Sequence, residues 1–158
     1  MRLDLWPEQK RIEKGEWIFT AVGSLWRHHS WGTDMQKDIE INVVGLPLAP
    51  CSQKPLTGFF RDGSCNTCAQ DTGSHTVCAV MTAEFLAFSK YIGNDLSTPR
   101  PEFGFVGLNA GDHWCLCAGR FLQAHEEGCA PQVQLGSTHQ KSLDIVPIEI
   151  LRLYATPK

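Results

Sequence analysis

Three short pairs carry most of the chemistry this sequence could do: Cys65-x2-Cys68, His75-x2-Cys78 and Cys115-x-Cys117. Thiolates and imidazoles at close spacing are the usual ligands of zinc, which takes four of them. Cys65 and Cys68 have a proper knuckle spacing, in a loop supplied with Gly58, Gly63 and Gly73. The partner pairs are irregular, and Cys115-x-Cys117 is not a zinc-ribbon spacing. The competing reading is that Cys78, Cys115 and Cys117 simply pack, as small buried thiols often do.

The same residues allow a reactive thiol. Cys65 has Arg61 and His75 near it in sequence. A neighbouring cation or imidazole favours the thiolate, which is the nucleophile. His75 would then act as base, oriented by Asp71 or Asp95. The alternative has His75 bonding loop carbonyls beside an inert Cys65. A redox role for Cys65-x2-Cys68 lacks the βαβ context that gives such a pair its meaning. A third chemistry is binding alone. Arg61, Arg100 and Arg120 could hold a carboxylate or phosphate, which the guanidinium fork suits. Asp62, Asp71, Asp95 and Asp112 could equally neutralise those arginines. The candidate ligand-binding residues are Arg61, Asp62, Arg100 and Trp114.

These side chains need elements to hold them. Ile39, Ile41, Val43 and Val44 predict a short strand, ended by Gly45 and Pro47. From Cys51 to about Ser74, prolines and glycines keep the chain in turns, and a loop of that length is often functional or held by a ligand. Residues 75–81 read as a strand or the lead into a helix. Thr82 is a predicted N-cap for a helix over 83–92, with Phe85, Phe88 and Ile92 on one face and Gly93 after its end. Residues 94–101 are irregular, because Pro99 and Pro101 bracket Arg100. Residues 113–118 read as a strand with His113, Cys115 and Cys117 on one face. A helix is expected near 120–127, a strand at Val133 and Leu135, a helical turn capped by Thr138, and a last helix with Pro147 at its first position. The fold class this gives is α+β: a small, mainly antiparallel sheet with two or three helices and long glycine- and proline-rich loops. The 57–74 loop is expected near the 94–101 loop and the 113–117 strand.

Composition narrows the partners. With 158 residues, 42% of them apolar, one core of real size is expected. A net charge of −3 with no basic stripe disfavours nucleic acid, and no apolar run is long enough to span a bilayer. The first residues lack a secretory pattern, so the seven cysteines are expected to be reduced, in a cytoplasmic compartment. Residues 1–41 read as an N-terminal extension and 42–158 as a single globular domain. The extension carries the His28–His29 pair and a helix-like pattern at 17–26. It reads either as a loosely attached arm or as an over-extended reading frame whose true start is Met35.

The stretches GLPLAPCS, PLTGFFRDGSC, HTVCAVMTAEFLAFSK, GNDLSTPRPEFGF, GDHWCLCAGRF, APQVQL and THQKSL are spread through residues 43–155. Through them the chain resembles the bacterial domain of unknown function 2237 family. The resemblance implies a small bacterial domain and brings no catalytic residues with it. Cys68 stands where that family typically has glycine, which argues against Cys65-x2-Cys68 as a family metal or redox pair. The metal candidates then become Cys65, His75, Cys78, Cys115 and Cys117. Three functions follow: a domain with a Cys/His-lined pocket for a small molecule, a Cys-nucleophile enzyme (hydrolase or transferase) using Cys65, His75 and Asp95, or a structural zinc domain.

Overall fold

Two cross-strand neighbours, Cys78 and Cys115, sit at the centre of a three-stranded antiparallel sheet. The computed structural model of the protein describes residues 38–157. The helix expected at 17–26, the His28–His29 pair and the start at Met35 lie outside the described residues. Strand β1 (Val77–Val80) is central, between β2 (His113–Leu116) and β3 (Gln132–Val133). Val77 faces Leu116, Cys78 faces Cys115, and Ala79 faces both Trp114 and Val133. Opposed residues of antiparallel strands share a face. The register therefore sorts the sheet into an apolar face of Val77, Ala79, Trp114, Leu116 and Val133, and a sulfur-bearing face of Cys78 and Cys115.

Three helices cover the apolar face. Helix α1 (Ala83–Tyr91) begins where Thr82 Oγ1 accepts the Phe85 N–H at 3.1 Å, a standard N-cap bond. It ends before Gly93, whose φ of +88° only glycine adopts at no cost. Helix α2 (Ala118–Glu126) starts two residues before the expected Arg120, with Cys117 as its cap residue. Helix α3 (Ile148–Leu153) follows Pro147, which caps it rather than opening it. Phe85, Leu86, Phe121, Ala124 and Leu151 from these helices join the sheet's apolar face in one buried cluster. Among the described residues, no helix is long and apolar enough to cross a membrane.

Some expected elements took another form. The strand at 39–44 makes only single bridges, Ile41 to Pro47 and Asn42 to His139. Asn42 explains this. Its Nδ2 donates to the Gly136 carbonyl at 3.0 Å, while its Oδ1 accepts the N–H groups of Val44 and Leu46, so the chain is pinned into a turn. The strand expected at Val133 and Leu135 stops at Val133, and Leu135–Ser137 winds into a 3-10 turn. The helical turn after Thr138 is a 3-10 segment, Gln140–Asp144, capped by His139, whose side chain accepts the Lys141 N–H.

Candidate functional site

The sulfur-bearing face is covered by the loop that runs from Cys51 to β1. Its ends return twice to the same place on the sheet. Cys51 is disulfide-bonded to Cys78 and Cys65 to Cys115, and all four are buried. Within the loop, the N–H groups of Cys51 and Ser52 donate to the Gly63 carbonyl. Thr57 Oγ1 accepts the Cys115 N–H at 2.8 Å, which ties the loop's middle to β2. The expectation of seven reduced cysteines is corrected here. The strand register brings Cys78 beside Cys115, and the loop's two returns add a partner for each. Cys68, Cys117 and Cys129 keep their thiols.

Cys65 is therefore fully buried and offers no thiolate in this state. The sulfur beside His75 is that of Cys117. His75 Nδ1 and Asp71 Oδ1 are 2.6 Å apart, and Asp71 Oδ2 accepts both the His75 backbone N–H at 2.9 Å and the Thr67 hydroxyl at 3.0 Å. The Asp71 side chain is fully buried, while that of His75 is 37% exposed. A hydrogen bond with Cys117 is the largest cause holding the imidazolium. Burial opposes it, Asp71 adds to it, and the His75 pKa is pushed up to about 9. Burial pushes the Asp71 carboxyl up, but the bonds from His75 and Thr67 outweigh this and leave it below its ordinary value. The backbone is shaped closely around the group. A Cβ on Gly73 would sit 2.8 Å from His75 Cε1 and 3.3 Å from Cys117 Sγ, and Ser74 has φ of +50°. Of the two carboxylates expected to orient His75, Asp71 does so. Asp95 closes its own turn, accepting from Ser97 N, Thr98 N and Thr98 Oγ1. The Thr98 hydroxyl is the largest cause of its pKa falling to about 2.

His75 and Asp95 meet across a cavity of about 420 Å³ whose walls include Phe59, Arg61, Arg100, Phe103, Phe105, Trp114 and Cys115. This brings together the 57–74 loop, the 94–101 loop and β2. Arg61 lies over the Trp114 ring with its Cζ 5.1 Å from the centroid, a cation–π arrangement. It does so with φ of +54°, in the left-handed region. Non-glycine residues held there concentrate at functional sites. Phe105 meets Trp114 edge to face at 5.4 Å, and Phe59 stacks near the His75 ring. Arg100 is mostly exposed, 3.9 Å from Glu102. A second hollow of about 860 Å³ shares Arg61, Phe103, Phe105 and Trp114 with the first and adds Lys54, Leu56, Val106 and Asp112.

Three of the four expected ligand-binding residues, Arg61, Arg100 and Trp114, thus line one cavity. Asp62 lies elsewhere and shapes its own loop, accepting from Ser64 N at 3.0 Å and Asn66 Nδ2 at 2.7 Å. Arg120 bonds Gln123 along α2. The expected metal set divides. Cys65, Cys78 and Cys115 gather under the loop, while His75 and Cys117 form a separate pair. Sequence reasoning missed Cys51, Phe59, Phe103 and Phe105 as part of the site. Cys51 stands alone in the sequence, with no partner at ligand spacing to mark it.

These features define a small α+β domain in which a cystine-held loop closes an aromatic and cationic cavity against a three-stranded sheet. The chain belongs to the family described as "Uncharacterized protein conserved in bacteria (DUF2237)", which it matches over residues 41–155. No curated protein matches the chain.

Proposed function

We propose that the protein binds a small anionic molecule with an apolar or aromatic body in the cavity between the 57–74 and 94–101 loops. One observation carries this reading: three cationic groups, Arg61 and His75 from the loop before β1 and Arg100 from the 94–101 loop, converge on a hollow walled by four aromatic rings. Cavities of a few hundred Å³ with apolar walls and a few placed polar groups are the usual form of small-molecule sites. Asp95, the carboxylate in the wall, is ionised, accepting from Ser97 and Thr98, and Lys90 at 3.8 Å offsets its charge. Arg61 pairs its apolar face with Trp114 and keeps its N–H edges for a carboxylate or phosphate. The net charge of −3 without a basic stripe supports a small molecule rather than a nucleic acid as the partner. Titration calorimetry with aromatic carboxylates, matched against their neutral amides and their amines, tests this. Carboxylates should bind, and Arg61→Ala or Arg100→Ala should each weaken them about tenfold or more, the scale of one lost charged hydrogen bond. Equal binding of amides and carboxylates, or binding that survives both substitutions, refutes it.

A second reading keeps a thiol nucleophile but moves it from Cys65 to Cys117. The chain of contacts from Asp71 to His75 to Cys117 favours it, as the arrangement of nucleophile, base and orienting carboxylate that covalent catalysis uses. Iodoacetamide labelling followed by peptide mapping should mark Cys117 faster than Cys68 or Cys129, and His75→Gln should abolish the difference. Equal rates at the three thiols refute this reading.

A further inference from the structure

We infer that Cys51, Cys65, Cys78 and Cys115, when reduced, form a tetrathiolate zinc site beneath the loop. The inference is independent of what the cavity binds. Its basis is the placement of the four sulfurs. Those of Cys51, Cys65 and Cys78 all lie within 4.8 Å of one another, and that of Cys115 is bonded to that of Cys65. Zinc holds thiolates at about 2.3 Å in a tetrahedron, which places neighbouring sulfurs roughly 3.8 Å apart. The two disulfides thus already gather three of the four atoms within 4.8 Å, and the fourth, bonded to one of them, swings to the tetrahedral spacing once the Cys65–Cys115 bond is reduced. Two ligands come from neighbouring strands, and two from the ends of one loop. That is how a structural site crosslinks a chain with little regular structure. The four residues also form a buried cluster of their own, apart from the main apolar core. Cys78 Sγ has the Gln134 side-chain amide 4.0 Å away, and an amide can turn its N–H toward a thiolate in the way outer groups support metal ligands.

The conversion balances. Each disulfide takes two electrons and two protons from a dithiol reductant, which itself becomes a disulfide. The two together yield four thiols. Zinc then displaces the four thiol protons to solvent and forms four Zn–S bonds. Both states tie the same points: residues 51 and 65 to β1 and β2. The loop they bound, which carries Gly58, Phe59 and Arg61 into the cavity wall, is held by sulfur–sulfur bonds in the oxidised protein and by the metal in the reduced one. His75 and Cys117 are outside this site.

The test uses the full chain, reduced with a phosphine under anaerobic conditions, freed of reductant and given zinc or cobalt. One zinc per chain should remain after gel filtration. Cobalt should give the visible bands and thiolate charge-transfer absorption of a tetrahedral S4 centre, and zinc should displace it. Oxidised protein should retain none. Zinc should protect Cys51, Cys65, Cys78 and Cys115 of the wild-type protein from alkylation while Cys68, Cys117 and Cys129 react, a readout that needs no variant to fold. Cys51→Ser should weaken zinc at least about tenfold, since even outer-sphere partners are worth that much, and Cys117→Ser should leave it unchanged. Absence of zinc from the reduced wild-type protein overturns the inference. So does protection that falls on Cys68 or Cys117 instead of Cys51.

Discussion

Replacing Asp71 by asparagine should have a cost whose size and pH dependence both follow from the geometry. The carboxylate is fully buried and takes three hydrogen bonds, from His75 Nδ1, His75 N and Thr67 Oγ1, at 2.6, 2.9 and 3.0 Å. Asparagine keeps one acceptor and turns an NH2 toward donors on the other side, so at least one bond is lost and the charge with it. A hydrogen bond to a charged group contributes about 1.5–3 kcal/mol. Asp71→Asn should therefore destabilise the domain by about 2–3 kcal/mol at pH 6, a loss of about 1–2 M in the urea midpoint with the disulfides intact.

The pH profile is the sharper part of this prediction. His75 has a folded pKa raised from 6.5 to about 9, so its contribution is fully present below 6.5 and is lost as pH rises through 9. Asp71 has a folded pKa below its ordinary value, so its contribution is present above about pH 4 and is lost as pH falls through the folded value. The rise at His75 corresponds to about 3 kcal/mol at 1.36 kcal/mol per tenfold. Its side chain is 37% exposed, and solvent screening reduces this to about 1–2 kcal/mol. Cys117 is its largest source and Asp71 a smaller one. The difference between wild type and Asp71→Asn should be greatest between about pH 4 and 6.5, and should shrink on both sides. Urea denaturation at pH 3, 5, 7 and 9.5, with the His75 ring protons followed by NMR, measures it. A difference that stays flat across this range, or a His75 titration unmoved by the substitution, refutes the reasoning.

Gly73→Ala should cost about 1–3 kcal/mol as an overpacking change, because its Cβ would press on His75 Cε1 and Cys117 Sγ; thermal melts with the disulfides intact would show it. Phe121→Ala, at a fully buried ring packed edge to face on Tyr154, should cost about 3–5 kcal/mol in urea denaturation. Reduction without metal removes crosslinks spanning 27 and 50 residues, worth about 3.5 and 4 kcal/mol singly on the loop-entropy account. Because the two loops overlap, the total should fall short of the sum, and calorimetry in reductant with chelator gives it. Carboxylate binding in the cavity should be steady from pH 6 to 8 and weaken as His75 loses its proton near 9, read by titration calorimetry.

Much of the helical layer is legible in the sequence because its signals are local. Thr82, the stripe of Phe85 and Phe88, and Gly93 each act within a few residues of α1, and the structure realises them as cap, buried face and left-handed terminus. Alternation at residues 113–116 marks β2 for the same reason. The site depends on contacts that sequence proximity does not report. Cys65 and His75 are ten positions apart and look like partners, yet the chain brings His75 to Cys117 and Cys65 to Cys115. The strand register and the loop's path decide both pairings, and neither is written in spacing. Asn42 shows the same limit: its neighbours have strand propensity, but one amide with four backbone partners turns them instead.

The position of the cystines bears on why the cavity sits where it does. A binding surface built on a loop needs a rigid support, and this loop has little regular structure of its own. It also carries Arg61 in a conformation that costs on the order of 1 kcal/mol or more and persists only when its surroundings over-determine it. The anchors at Cys51 and Cys65 supply that constraint on either side of Arg61, and Thr57 adds a third tie to β2. Free of those anchors, the segment gains conformational entropy, which favours release of the strained backbone and of the guanidinium from Trp114. The chemistry of four buried sulfurs on one side of the loop therefore sets how well a cation is presented on the other.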